Sequence, residues 1–69
     1  MVIDWRHPDI DIVVEIYYEK GSRDEPPCAQ VEGVYDGTSG KNVTRLFNPE
    51  ELESDFWNHR PDLEGNYNA

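Results

Sequence analysis

Hydrophobic and polar residues alternate regularly from Ile10 to Tyr18, which is the clearest periodic pattern in the chain. One face of this segment is apolar throughout and consists of Ile10, Ile12, Val14, Ile16 and Tyr18. A period of two residues, together with β-branched and aromatic side chains, predicts a β-strand. Because the opposite face contains polar residues such as Glu15, we expect an antiparallel sheet whose second face is partly exposed to water.

Two further strands are predicted after a loop over residues 20–28, which contains Gly21 and the pair Pro26-Pro27. The second strand covers residues 29–35 and the third covers 41–46, with a Gly-containing turn over residues 36–40 between them. Regular alternation places Ala29, Val31, Gly33 and Tyr35 on one face of the second strand and Gln30, Glu32 and Val34 on the other. A glycine within the strand, Gly33, indicates a bulge or a close backbone approach.

A helix is predicted to begin at Pro49 and to end at residue 59 or 60. Asn48 is a favourable N-cap, and a proline suits the first helical position because no backbone donor is needed there. Leu52 and Phe56 are four residues apart and therefore share one apolar face. Pro61 disfavours helical geometry at the residue before it, which ends the helix.

The order of these elements predicts an α+β fold, a small three-stranded antiparallel sheet (β-β-β-α) with one C-terminal helix packed on it. A chain of 69 residues is long enough for a single domain only. We expect segments 1–9 and 61–69 to be loosely ordered tails, the second with Leu63 and Tyr67 as anchors. A homodimer would enlarge the small core of such a chain.

The chain is strongly acidic, with 15 Asp and Glu residues, 6 Lys and Arg residues and a net charge of −9. The charge is uneven: residues 1–19 carry −4, residues 20–47 are neutral and residues 48–69 carry −5. Such a field repels nucleic acids and anionic membranes and attracts basic protein surfaces. Solubility alone explains the same composition, so both interpretations stay open.

The sequence predicts a cytoplasmic protein. The chain has one cysteine, Cys28, and therefore no disulfide framework. No apolar run approaches the roughly 20 residues of a membrane-spanning helix, and polar residues interrupt the N-terminus from Asp4 onward, unlike a signal peptide.

Residues with catalytic or metal-binding chemistry are few and scattered. Cys28 has no histidine near it in the sequence, since His7 and His59 lie towards opposite ends, whereas nucleophilic catalysis needs both groups in contact. Zinc sites use paired short spacings of ligands that this chain lacks, and Asp9-x-Asp11 does not match a calcium loop. We therefore expect no catalytic, cofactor-binding or metal-binding residues, no cofactor and no enzymatic activity.

Exposed aromatic residues among charges are typical of protein-binding surfaces. Tyr17 falls on the polar face of its strand, and Trp57 falls beside the acidic first turns of the helix. An equally good interpretation is that these rings cover the second face of the sheet or a dimer interface. The candidate partner-binding residues are Glu50, Glu51, Glu53, Asp55, Trp57, Tyr17, Asp9 and Asp11.

Residues 13–53 carry a recognisable succession of segments. It consists of a strand ending in Tyr17-Tyr18, a Gly- and Pro-containing loop over 21–27, the segment 29–32, the segment 40–47 and the acidic run 50–53. This succession resembles that of short accessory proteins of tailed bacteriophages and prophages, whose roles are largely unassigned. The resemblance implies expression in the cytoplasm of a bacterial host and transfers no catalytic residue. Those proteins often have a longer C-terminal helix, whereas Pro61 shortens this one.

Two functional hypotheses follow. In the first, a small acidic phage-type protein binds and modulates or inhibits a host protein through a carboxylate-rich surface. That surface would act as a DNA mimic if the target binds nucleic acid, with no direct binding of nucleic acid or membrane by this chain. In the second, the chain is a structural or assembly protein that forms a homo-oligomer, and its acids keep it soluble.

Overall fold

A computed structural model describes residues 1–61 and shows a three-stranded antiparallel sheet with one helix. The elements in chain order are β1 Val2–Arg6, β2 Ile12–Glu19, β3 Cys28–Asp36, a 3-10 helix Thr44–Leu46 and α1 Pro49–His59. The strands lie in the order β1-β2-β3, and both neighbouring pairs are antiparallel. The predicted α+β class, a three-stranded sheet followed by a C-terminal helix, is confirmed.

The N-terminal segment supplies the third strand of the sheet, whereas the sequence predicted a loose tail over residues 1–9. β1 pairs with β2 so that Ile3 lies opposite Ile16 and Trp5 lies opposite Val14. The Trp5 indole is only 8% exposed. Because a buried aromatic side chain contributes strongly to stability, its burial explains why this segment forms a strand and not a loose tail. The prediction of a loose N-terminus was therefore wrong for residues 2–6.

Residues 41–46 were predicted as a strand and form none. A single bridge joins Asn42 to Tyr35, and the chain then turns into the 3-10 helix. The side chain of Thr44 accepts a hydrogen bond from the Val34 backbone N–H at 2.9 Å. The Asn42 side chain accepts from the Thr44 backbone N–H at 3.0 Å. Such side-chain bonds to the backbone compete with a β-ladder, which explains the difference.

A β-bulge interrupts β3, as Gly33 indicated. Gly33 lies opposite Glu15, but the next pair joins Val31 to Ile16, so Glu32 is the extra residue. One inserted residue moves the side chains that follow to the other face of the sheet. Val34, predicted on the same face as Gln30 and Glu32, is consequently fully buried in the core.

Gly33 and Tyr35 share the face of the sheet that points away from the helix. A Cβ atom at Gly33 would lie 3.0 Å from the Tyr35 hydroxyl oxygen. The tyrosine ring therefore covers the glycine, and a side chain at this position would require the ring to shift by a few tenths of an ångström.

Helix α1 packs on the other face of the sheet and has the predicted bounds. The Asn48 side chain accepts from the Glu50 backbone N–H at 2.9 Å, and Arg60 is the C-cap. Phe56 is fully buried, and its ring meets that of Trp5 edge-to-face at 5.6 Å. The buried core consists of Trp5, Ile12, Val14, Ile16, Ala29, Val34, Leu52 and Phe56.

The prediction for the C-terminal tail, with Leu63 and Tyr67 as anchors, falls on residues 62–69, outside the described residues. Within residues 1–61, no helix combines the length and the apolar composition that crossing a membrane requires.

Candidate functional site

A shallow groove runs along the exposed side of α1. It is lined by Glu50, Glu53, Ser54 and Trp57. These residues are spaced three or four apart, so they form one continuous stripe of the helix surface. The Asn48 cap and Pro49 fix the residue at which the helix begins. The start of the helix in turn determines which of its residues lie on this exposed stripe.

Trp57 forms the aromatic end of the groove and is held in place from the core side. Its ring lies 5.3 Å from the Phe56 ring and 6.3 Å from the Tyr18 ring, both in edge-to-face orientation. The side chain is half-buried, so part of the indole stays accessible to a ligand. Two carboxylates beside an accessible indole suit a Lys or Arg side chain, which can form an ion pair and a cation–π contact together.

Asp55 lies on the same helix but serves an internal contact. Its Oδ2 atom is 3.1 Å from Nε2 of His7, whose side chain is only 3% exposed. The His7 Nδ1 atom accepts from the Asp9 backbone N–H at 3.1 Å. A ring nitrogen that accepts carries no proton, so the Nε2–H must donate to Asp55. Both ring nitrogens are therefore engaged. Asp55 belongs to this internal contact rather than to the groove, and Asp9 contributes only its backbone N–H to it, while its exposed side chain lies outside the groove.

Asp11 is also engaged within the chain. Its Oδ1 atom accepts from Nη1 of Arg6 at 3.1 Å, and its Oδ2 accepts from the Thr38 hydroxyl. The Asp11 backbone carbonyl accepts from the Gly37 N–H at 2.9 Å. These bonds join the β1–β2 connection to the turn after β3.

Tyr17 lies on the open face of the sheet, opposite the helix, and is 37% exposed. Its hydroxyl donates to Oε1 of Glu19 at 3.0 Å. This hydrogen bond and the Glu19 charge raise the pKa of Tyr17 above its ordinary value. Tyr17 and Trp57 therefore belong to opposite surfaces of the domain.

The predicted partner-binding residues thus divide into three groups. Glu50, Glu53 and Trp57 line one groove. Glu51 is exposed in the first turn of the helix without lining the groove. Asp11 and Asp55 form side-chain contacts within the chain, Asp9 contributes a backbone N–H to one of them, and Tyr17 lies on the open face of the sheet.

Sequence reasoning missed Ser54 in the groove and the internal role of His7. The spacing of four residues from Glu50 could have indicated Ser54. No local signal connects His7 to Asp55, which is 48 residues away. Within residues 1–61, no group of three or more His, Cys, Asp and Glu side chains is placed to hold a metal ion.

The chain matches no protein-family model, and neither a curated protein nor a solved structure is significantly similar to it. The resemblance to phage accessory proteins therefore stays a prediction. Function is inferred from the groove and from the charge around it.

Proposed function

We propose that this protein is a non-enzymatic binding module whose acidic helix groove takes a Lys or Arg side chain from the basic surface of a partner protein. The observation that carries the proposal is the placement of Glu50 and Glu53 beside the half-buried Trp57 in one groove. In accord with the phage resemblance, the partner is a protein of the bacterial host, and binding modulates or inhibits it.

The chemistry of the groove favours a cation over other ligands. A cation placed over a tryptophan face gains about 0.5–1 kcal/mol at an exposed site and about 2 kcal/mol when desolvated. The net charge of −9 adds long-range attraction, which raises the association rate and is screened by salt. Trp residues anchored in place are also common among the residues that dominate interface energies.

A nucleic-acid-binding protein is the class of partner that this surface suits best. Such proteins present clustered Lys and Arg side chains to neutralise phosphates. Glu50 and Glu53 lie in the first two turns of α1 and offer closely spaced carboxylates to the same side chains. Occupation of that basic surface by this protein would exclude the nucleic acid and inhibit the partner.

Affinity capture from bacterial lysate at low and high salt tests this function. Glu50→Gln with Glu53→Gln removes two charges from the groove. Glu51→Gln with Glu25→Gln removes two charges from exposed positions outside it. We expect the groove variant to lose the partner and the control variant to retain it, with release of the wild-type complex at high salt. Equal retention by both variants, or binding that salt does not weaken, would contradict the proposal.

A further inference from the structure

Among residues 1–61, β1 is an edge strand with no neighbour on its outer side. The orientation of its backbone groups follows from the hydrogen bonds of Met1. The Met1 carbonyl accepts from the Tyr18 N–H at 2.7 Å, and the Met1 amino group donates to the Tyr18 carbonyl at 3.1 Å. Because paired and unpaired positions alternate in an antiparallel ladder, the backbone groups of Val2, Asp4 and Arg6 point away from β2. Within residues 1–61, none of these groups has a hydrogen-bond partner.

The two edges of the sheet differ in how they are protected. Val43 N–H donates to the Val34 carbonyl and Asp36 N–H donates to the Lys41 carbonyl, both at 2.8 Å, so the chain covers one end of β3. The bulge at Glu32 interrupts another part of that edge. β1, with the sequence VIDWR, has no proline, lysine or bulge, three features that commonly prevent strand pairing between molecules. Charged side chains also protect an edge, but the two on β1, Asp4 and Arg6, have opposite signs and can attract each other across two copies.

We propose that β1 pairs antiparallel with β1 of a second copy of this chain, centred on Trp5, so that Asp4 of each copy lies opposite Arg6 of the other. The segment Asp4-Trp5-Arg6 is self-complementary in this register. It brings together the outward-pointing backbone groups of Asp4 and Arg6 and forms two cross-strand ion pairs. A register centred on Asp4 would instead place the two Asp4 carboxylates opposite each other, which is unfavourable.

The charges around β1 favour this occupant. Asp4 lies opposite Glu15 within its own sheet, at a position where the side chains of an antiparallel pair come closest. Two like charges at such a position destabilise the sheet, and Arg6 of the second copy would offset them. Arg6 already donates to Asp11 through Nη1, but a guanidinium has five N–H donors and can serve both carboxylates.

The dimer would join two three-stranded sheets into one continuous sheet. Residues that face each other across paired strands lie on the same face, so both α1 helices would lie on one side. The two acidic grooves would then be presented together, and a partner with two basic sites could bind both at once. The dimer interface itself does not depend on what the groove binds.

A charge-swap experiment tests the interface. Asp4→Arg and Arg6→Asp are prepared as separate proteins, and the masses of the wild type, each variant and their equimolar mixture are measured by sedimentation at micromolar concentration. We expect a wild-type dimer, a dissociation constant raised about tenfold or more in each single variant, and a heterodimer in the mixture, where opposite charges face each other again. Asp4→Arg also replaces the repulsion from Glu15 by an attraction within the same sheet, so we expect this variant to stay folded.

Three results would overturn the proposal. They are a monomeric wild type, a dimer that neither single variant weakens, and a failure of the two folded variants to associate when mixed. Far-UV circular dichroism of each variant establishes that it is folded. Asp4→Pro gives an independent measurement, because it removes a backbone donor that points away from β2 and should also yield a monomer.

Discussion

The His7 imidazole and the Asp55 carboxylate meet at 3.1 Å across 48 residues of sequence and fasten the β1–β2 connection to α1. The histidine side chain is almost fully buried, whereas the carboxylate is 44% exposed. The half-exposed Asp55 carboxylate therefore provides the acceptor for the buried Nε2–H of His7. The contact also removes Asp55 from the carboxylate-rich binding surface to which the sequence analysis assigned it.

Asp55→Ala should destabilise the domain because it leaves the buried His7 Nε2–H without an acceptor. An unsatisfied buried donor costs about 1–3 kcal/mol, and we expect a loss of that size in the free energy of unfolding measured with urea. Asp55→Asn retains an acceptor and should lose less. Glu53→Ala is the control, because it also replaces an acidic residue of α1 by alanine but does not affect the His7 contact. An equal loss in Glu53→Ala would show that the His7 contact contributes nothing.

Gly37→Ala should destabilise the turn after β3, because a Cβ atom there would collide with Oδ1 of Asp11. The expected loss is about 1–2 kcal/mol, which lies within the range of most destabilising single substitutions. The same substitution in an Asp11→Ala background should cost much less, since the colliding carboxylate is gone. Urea unfolding of the two single variants and the double variant measures this coupling. Strictly additive losses would contradict it.

Asp36 should contribute to the loss of stability in acid. The Ser39 and Thr38 backbone N–H groups lower the pKa of Asp36 below its ordinary value of 3.8. A carboxyl whose folded-state pKa is lowered stabilises the fold above its unfolded pKa, and this contribution disappears as the pH falls through the folded pKa. Asp36→Asn should therefore lose less stability on acidification than the wild type. Urea midpoints across the acidic range measure the difference, with Asp24→Asn as the control. Parallel curves for the wild type and Asp36→Asn would exclude this role.

Tyr17 should ionise above the ordinary tyrosine pKa of 10.0 because Glu19 accepts its proton in a hydrogen bond and repels the phenolate. Glu19→Gln should bring the Tyr17 titration closer to that ordinary value. Ultraviolet absorbance of tyrosinate, corrected with a Tyr17→Phe variant, follows this one residue among the four tyrosines of the chain. A titration that Glu19→Gln leaves unchanged would refute the assigned cause.

The helix was predictable because its determinants are local. Asn48 and Pro49 mark its beginning, and Leu52 and Phe56 mark its buried face. β1 was not predictable in this way, since the burial of Trp5 depends on pairing with a strand further along the chain. A bulge at Gly33 was foreseeable from the glycine, but its effect on the side chains after it was not.

The candidate site follows the same division. Glu50, Glu53 and Trp57 could be predicted together because they share a helix, and helical spacing places them on one stripe. Asp11 and Asp55 carry the same charge and are equally prominent in the sequence. Only long-range contacts, with Thr38 and His7 respectively, distinguish them from freely exposed carboxylates.

Nuclear magnetic resonance titration of the 15N-labelled protein with an arginine-rich peptide tests the binding groove most directly. We predict salt-sensitive shifts of the Trp57 indole N–H and of the Glu50, Glu53 and Ser54 amides. These shifts should be lost in the Glu50→Gln, Glu53→Gln variant and kept in the Glu51→Gln, Glu25→Gln control. Shifts confined to the open sheet face around Tyr17, or an unaltered spectrum, would contradict the account.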